Sequence, residues 1–65
     1  MQTLKEVRKQ RGVLQKAVAE YLGISRQTYS KYENNQERMT IGQAKAVCEF
    51  LHCDIDDVFL PVEGN

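Results

Sequence analysis

The apolar positions of this chain recur at intervals of three and four, the period of helices with one buried face. Leu4 and Val7 share a face in a first predicted helix, residues 4–11. It opens on Thr3 with Glu6 three residues on, the signature of a capping box, and Gly12 supplies a left-handed exit. A second helix is predicted over 15–22, with Val18, Ala19 and Leu22 inward and Gly23 as its stop. A third covers 26–33, capped by Ser25, with Tyr29 and Tyr32 inward. Asn34 and Asn35 are expected to end it, because asparagine tolerates positive φ. The fourth, 41–51, follows a second capping box, Thr40 with Gln43, and carries the stripe Ile41, Ala44, Val47, Cys48 and Leu51. The last, 55–60, is capped by Asp54, buries Ile55, Val58 and Phe59, and cannot continue through Pro61. Strand signals are weak and confined to residues 59–62. The pattern predicts an all-α chain of five short helices. They form one domain over 1–65, with a core over 4–60 and a short tail, 61–65.

Residues 15–33 carry the most functional information. A short amphipathic helix, a glycine turn and a helix opening on a serine cap follow one another, and Ala19 and Gly23 are small where two helices would cross closely. The second of these helices begins Ser25-Arg26-Gln27-Thr28, a run of polar hydrogen-bonding groups. A helix-turn-helix needs this arrangement to set one helix into the DNA major groove.

A net charge of zero speaks weakly against a polyanionic partner, but the distribution of charge reverses that impression. Residues 1–45 hold all nine Lys and Arg against four acids, a net of +5, whereas residues 46–65 hold five acids and no base. A basic end facing a polyanion and an acidic end facing elsewhere are expected. A chain this short buries only about 60% of its unfolded surface, which favours self-association. No apolar run approaches the length of a membrane span, and Met1-Gln2-Thr3-Leu4-Lys5 is not an apolar signal region, so a cytoplasmic protein is expected. Cys48 and Cys53 lack zinc-type spacing and are expected as reduced thiols, Cys48 in the core. His52 fits a helix C-terminus favoured by the dipole. Asp54, Asp56 and Asp57 fit a cap and its first-turn dipole partners better than a metal site. Neither cysteine sits at a helix N-terminus beside a base, and there is no glycine-rich phosphate loop. No enzyme, cofactor or metal is expected.

The string Gln15-x3-Ala19-x3-Gly23-x-Ser25, closing on Lys31-Tyr32-Glu33, resembles the Cro/repressor-type (XRE-like) helix-turn-helix family, and the resemblance extends over about residues 4–60. It implies a compact lambda-repressor-like domain whose helices 2 and 3 form the helix-turn-helix. It places Gln15 against a backbone phosphate, bracing the recognition helix, and sets Arg26, Gln27 and Lys31 toward base edges. Ser25, Thr28 and Ser30 lie near them for phosphate or base contact. Lys16 and Arg38 belong to the basic positions near 9–16 and 38–45 that would hold phosphates. Arginine can be bidentate to guanine and glutamine to adenine, which suits this reading. Arg8 and Glu33 match a helix 1–helix 3 ion pair, while Ala19 and Gly23 are structural. Leu14 stands where the family commonly has a serine, threonine or asparagine cap, a loss of about 1 kcal/mol. The residues leave open whether Leu14 staples the helix or is an exposed contact. Tyr29 replaces a branched aliphatic, so either the core is enlarged or the hydroxyl reaches the surface. Asn35 and His52 stand at positions where glycine is frequent.

The function so implied is a bacterial or phage-encoded transcription regulator specific for double-stranded DNA. A small repressor or autoregulator is expected, acting as a homodimer on a palindromic operator. Phe59, Leu60 and Val62 are the candidate dimer contacts. The competing reading is a protein-interaction module, such as an antitoxin-type partner binder, on the same fold. The balanced charge and acidic C-terminal third support it, but it would favour apolar residues at the reading positions.

Overall fold

The computed structural model describes residues 2–59, which hold helices α1 (Leu4–Gln10), α2 (Gln15–Leu22), α3 (Arg26–Asn34), α4 (Ile41–Leu51) and α5 (Ile55–Phe59). A short 3-10 turn, Gln36–Arg38, separates α3 from α4, and no strand occurs among the described residues. No helix among them is long and apolar enough to cross a membrane.

Local chemistry starts three of the helices as anticipated. The Thr3 hydroxyl accepts the Glu6 N–H at 3.1 Å while the Glu6 carboxylate accepts the Thr3 N–H at 2.9 Å. Thr40 and Gln43 repeat the exchange at 3.0 and 3.1 Å, and Ser25 accepts the Thr28 N–H at 3.1 Å. Each box satisfies donors that a helix start would otherwise leave orphaned. Leu14, the cap of α2, has no side chain able to do this and is 72% exposed, which settles the question in favour of an exposed residue. Leu14→Ser should therefore raise stability by about 1 kcal/mol, read by urea denaturation. No gain would mean that the leucine has an unrecognised packing partner.

The core joins Leu4 and Val7 of α1, Val18 and Ala19 of α2, Tyr29 of α3, Val47, Cys48 and Leu51 of α4, and Val58 of α5. Tyr29 is fully buried, so the core is enlarged to hold it and its hydroxyl does not reach the surface. Ile55 and Phe59 are half-buried against this core, while Leu60 and Val62 lie outside the described residues. Tyr21 and Phe50 stack at the edge of the core, with ring centroids 4.5 Å apart, and so join α2 to α4.

Three local expectations need correction. Ile41 is not part of the buried stripe but 73% exposed, because the first turn of α4 projects beyond the packed layer, with Thr40 and Gly42 exposed beside it. Asn34 does not stop α3 but belongs to it. Asn35 ends it at φ −148°, not in the left-handed region, because the chain continues directly into the 3-10 turn. Gly23 does turn left-handed at φ +74°, yet a Cβ there would meet nothing within 4 Å. Backbone conformation therefore demands this glycine, and close helix crossing is the business of buried Ala19.

His52 is the only non-glycine residue with positive φ among those described, at 58°. Its N–H and that of Cys53 fold back to the carbonyls of Glu49 and Cys48, the two bonds of a Schellman ending. A left-handed histidine is strained relative to glycine. His52→Gly should stabilise the fold by about 0.5–1 kcal/mol, the strain relieved being partly offset by a freer unfolded chain. That corresponds to a Tm rise of roughly 3–6 °C in a domain of this size. An unchanged or lower Tm would show that the imidazole contributes more than its backbone strain removes.

Candidate nucleic-acid interface

Helix α3 presents opposite faces to opposite environments. Tyr29 is buried, Tyr32 and Glu33 are half-buried, and Arg26, Gln27 and Lys31 are exposed. Because residues three, four and seven apart share a helix face, Gln27, Lys31 and Asn34 form one exposed polar stripe, with half-buried Ser30 beside it. The sequence offered Asn34 only as a stop signal. Its place on this stripe follows from the extra residue of helix, and its amide matches adenine as glutamine does.

Arg26, exposed beside the stripe at the first residue of α3, is held from behind. Its guanidinium donates to the Gln15 side-chain carbonyl at 3.1 Å, and the Gln15 amide nitrogen donates to the Glu33 carboxylate at 2.9 Å. Glu33 in turn takes the Arg8 guanidinium through both oxygens, at 2.5 Å from Nε and 3.2 Å from the terminal nitrogen. Arg8 closes the series by donating to the Val13 carbonyl at 2.8 Å. One hydrogen-bonded series thus runs from α1 and the following turn, through α3 and the start of α2, to the first residue of α3. The predicted Arg8–Glu33 pair forms, and its side chains are only 8% and 2% exposed.

The electrostatics follow from that burial. Desolvation alone would raise the Glu33 carboxyl, but the hydrogen bonds from Arg8 and Gln15, with the Tyr29 hydroxyl nearby, leave it below its ordinary value. The hydrogen bond to Glu33 also raises Arg8, against the opposing effect of burial. The Tyr29 hydroxyl is buried without a hydrogen-bond partner among the described residues, and its pKa is raised by burial first and the adjacent Glu33 second.

The remaining sequence-derived positions are distributed unequally. Ser25 is a cap, and its hydroxyl also donates to Thr28 Oγ1 at 2.9 Å, so its proton is already engaged. Lys16 is exposed in the first turn of α2, where the cap position Leu14 offers no side-chain acceptor and the first N–H groups have no side-chain partner among the described residues. Arg38 is exposed in the 3-10 turn that follows α3. That turn is anchored by a residue the sequence did not single out. The Gln36 side-chain carbonyl accepts the Leu4 N–H at 2.6 Å, and its amide donates to the Val58 carbonyl at 3.0 Å. Gln36 therefore ties the segment after α3 to both α1 and α5. No local motif reveals such a contact, since its partners lie 32 and 22 residues away.

A helix-turn-helix family model matches residues 4–58. No curated protein matches the chain.

Proposed function

Because this chain belongs to the Cro/XRE-type helix-turn-helix family of DNA-binding regulators, we propose that it is a sequence-specific repressor or autoregulator, without catalytic activity, that occupies a two-fold operator as a homodimer. The observation carrying this reading is the exposed face of α3, polar throughout and headed by an arginine oriented by Gln15. An interaction module would place apolar groups there; the exposed leucine and isoleucine lie instead at the starts of α2 and α4.

In the proposed complex α3 lies in the major groove. Arg26, Gln27, Lys31 and Asn34 face base edges. The open N-terminus of α2, with Lys16, takes a phosphate, since unpaired N–H groups and the helix dipole both favour an anion. Arg38 takes a second phosphate beyond α3. These phosphate contacts set register, and the α3 contacts supply specificity. Two copies would set their α3 helices about 34 Å apart, one turn of DNA. Phe59, half-buried at the end of α5, is the described residue proposed for the dimer contact.

In vitro selection from a random duplex pool at near-physiological salt tests the proposal, with wild type run beside Arg26→Ala/Gln27→Ala. A palindromic site enriched by wild type and lost by the double variant is the expected result. Enrichment of nothing by either protein would shift the reading to a protein partner.

A further inference from the structure

The Schellman ending of α4 brings the two thiols of the chain together. His52 turns left-handed, and the Cys53 N–H donates to the Cys48 carbonyl at 3.0 Å. Residues joined by this outer bond touch through their side chains, a position ordinarily filled by an apolar pair. Here both are free cysteines, Cys48 buried and Cys53 half-buried. A disulfide needs Cα atoms roughly 4.4–6.8 Å apart, a geometry that the shared backbone bond favours by drawing the two residues together.

The surroundings make the two sulfurs unequal. Both border an open cleft of about 440 Å³. Arg11 lies on the same cleft, held by bonds from its guanidinium to the carbonyls of Leu51 at 2.8 Å and His52 at 3.0 Å. The Cys48 thiol is pushed up to about 12, first by burial and then by the neighbouring Cys53 sulfur. Cys48 is therefore a poor first nucleophile, and reaction starts at the more accessible Cys53.

We propose that Cys48 and Cys53 form a dithiol site that reacts with a small hydroperoxide, hydrogen peroxide being the simplest, and closes to a disulfide across the end of α4. The Cys53 thiolate attacks one peroxide oxygen, the O–O bond breaks, and the departing hydroxide takes up a proton to become water. Cys53 is then a sulfenic acid. The Cys48 sulfur attacks the Cys53 sulfur, the S–O bond breaks, and the displaced hydroxide leaves as a second water with the Cys48 proton. Two thiols are oxidised together by two electrons, and one peroxide is reduced to two waters. The cleft admits the peroxide, the half-buried sulfur meets it, and the buried sulfur resolves the product before further oxidation. The site lies at the C-terminal end of α4 and does not depend on the DNA-binding reading.

The test treats the reduced full chain with hydrogen peroxide, then measures intact mass and counts free thiols by alkylation in denaturant. Wild type should lose two hydrogens, about 2 Da, and both alkylatable thiols, and dithiothreitol should restore both. Cys53→Ser removes only the half-buried sulfur and should keep its single thiol through the same treatment. Wild-type chains that stop at oxygen adducts, cross-link to one another or retain both thiols would overturn the proposal.

Discussion

Replacing Arg8 by methionine should lower the unfolding free energy by about 3–5 kcal/mol near neutral pH, measured by urea denaturation. Methionine preserves part of the aliphatic stem but none of the N–H groups that Arg8 gives to Glu33 and Val13. Glu33, whose side chain is 2% exposed, would keep the Gln15 amide and the adjacent Tyr29 hydroxyl but lose its counter-ion. A buried carboxylate without its counter-ion is the costly state. A domain of this length holds about 3–10 kcal/mol of stability in all, so the variant should be near or beyond its unfolding midpoint without denaturant. The dependence on pH carries a distinctive sign. In the native chain the folded Glu33 pKa lies below its ordinary 4.5. Its stabilisation is complete above that value and is lost as pH falls through the lowered one. In Arg8→Met, burial dominates and raises the same carboxyl, so the variant recovers stability as Glu33 protonates. The gap between the two proteins should therefore narrow between about pH 7 and pH 4. A constant gap, or one under about 1 kcal/mol at neutral pH, would show a pair as weak as a solvated surface bridge.

That ion pair was legible in the sequence only through family resemblance, whereas the helices around it were legible from elementary chemistry. Thr3 with Glu6, Thr40 with Gln43, and Ser25 are short-range hydrogen-bonding devices, and each starts its helix where the spacing placed it. Gly12 and Gly23 adopt the left-handed conformations their positions required. Failures occur where a local rule meets a non-local arrangement. Ile41 has the spacing of a core residue, but no described residue covers the first turn of α4, and periodicity does not report what lies opposite. Asn34 and Asn35 carry a stop signal, yet the chain leaves α3 through a 3-10 turn held by Gln36, whose partners belong to α1 and α5. Leu14 was undecidable because a staple and an exposed contact share one residue type; its exposure decides. At the interface the same division holds. The residue types on α3 suggested base-reading chemistry, whereas the bond that holds Arg26 to Gln15 and the inclusion of Asn34 in the helix follow only from the fold.

Arg26→Ala should weaken binding to the selected operator by about 1–3 kcal/mol, roughly 5- to 150-fold, and relax preference at one base pair while leaving random DNA nearly unaffected. Lys16→Ala, by contrast, should weaken all sequences alike, because a phosphate contact carries no sequence information. The Gln15–Arg26 bond adds a sharper requirement. Gln15 accepts from Arg26 with its carbonyl and donates to Glu33 with its amide, so its orientation is fixed from both sides. If that bond aims the guanidinium, Gln15→Ala will forfeit part of the same discrimination. The loss in the double variant will then fall short of the sum of the singles by at least about 0.5 kcal/mol. Stability must be measured in parallel, because Gln15→Ala also removes a donor from buried Glu33; Arg26→Ala, at an exposed position, removes none. Strict additivity would mean that Arg26 leaves Gln15 on meeting DNA, and an equal loss on operator and random duplex would reduce Arg26 to a phosphate contact. Coupling confined to the specific complex would instead show that base recognition by α3 is organised from α2.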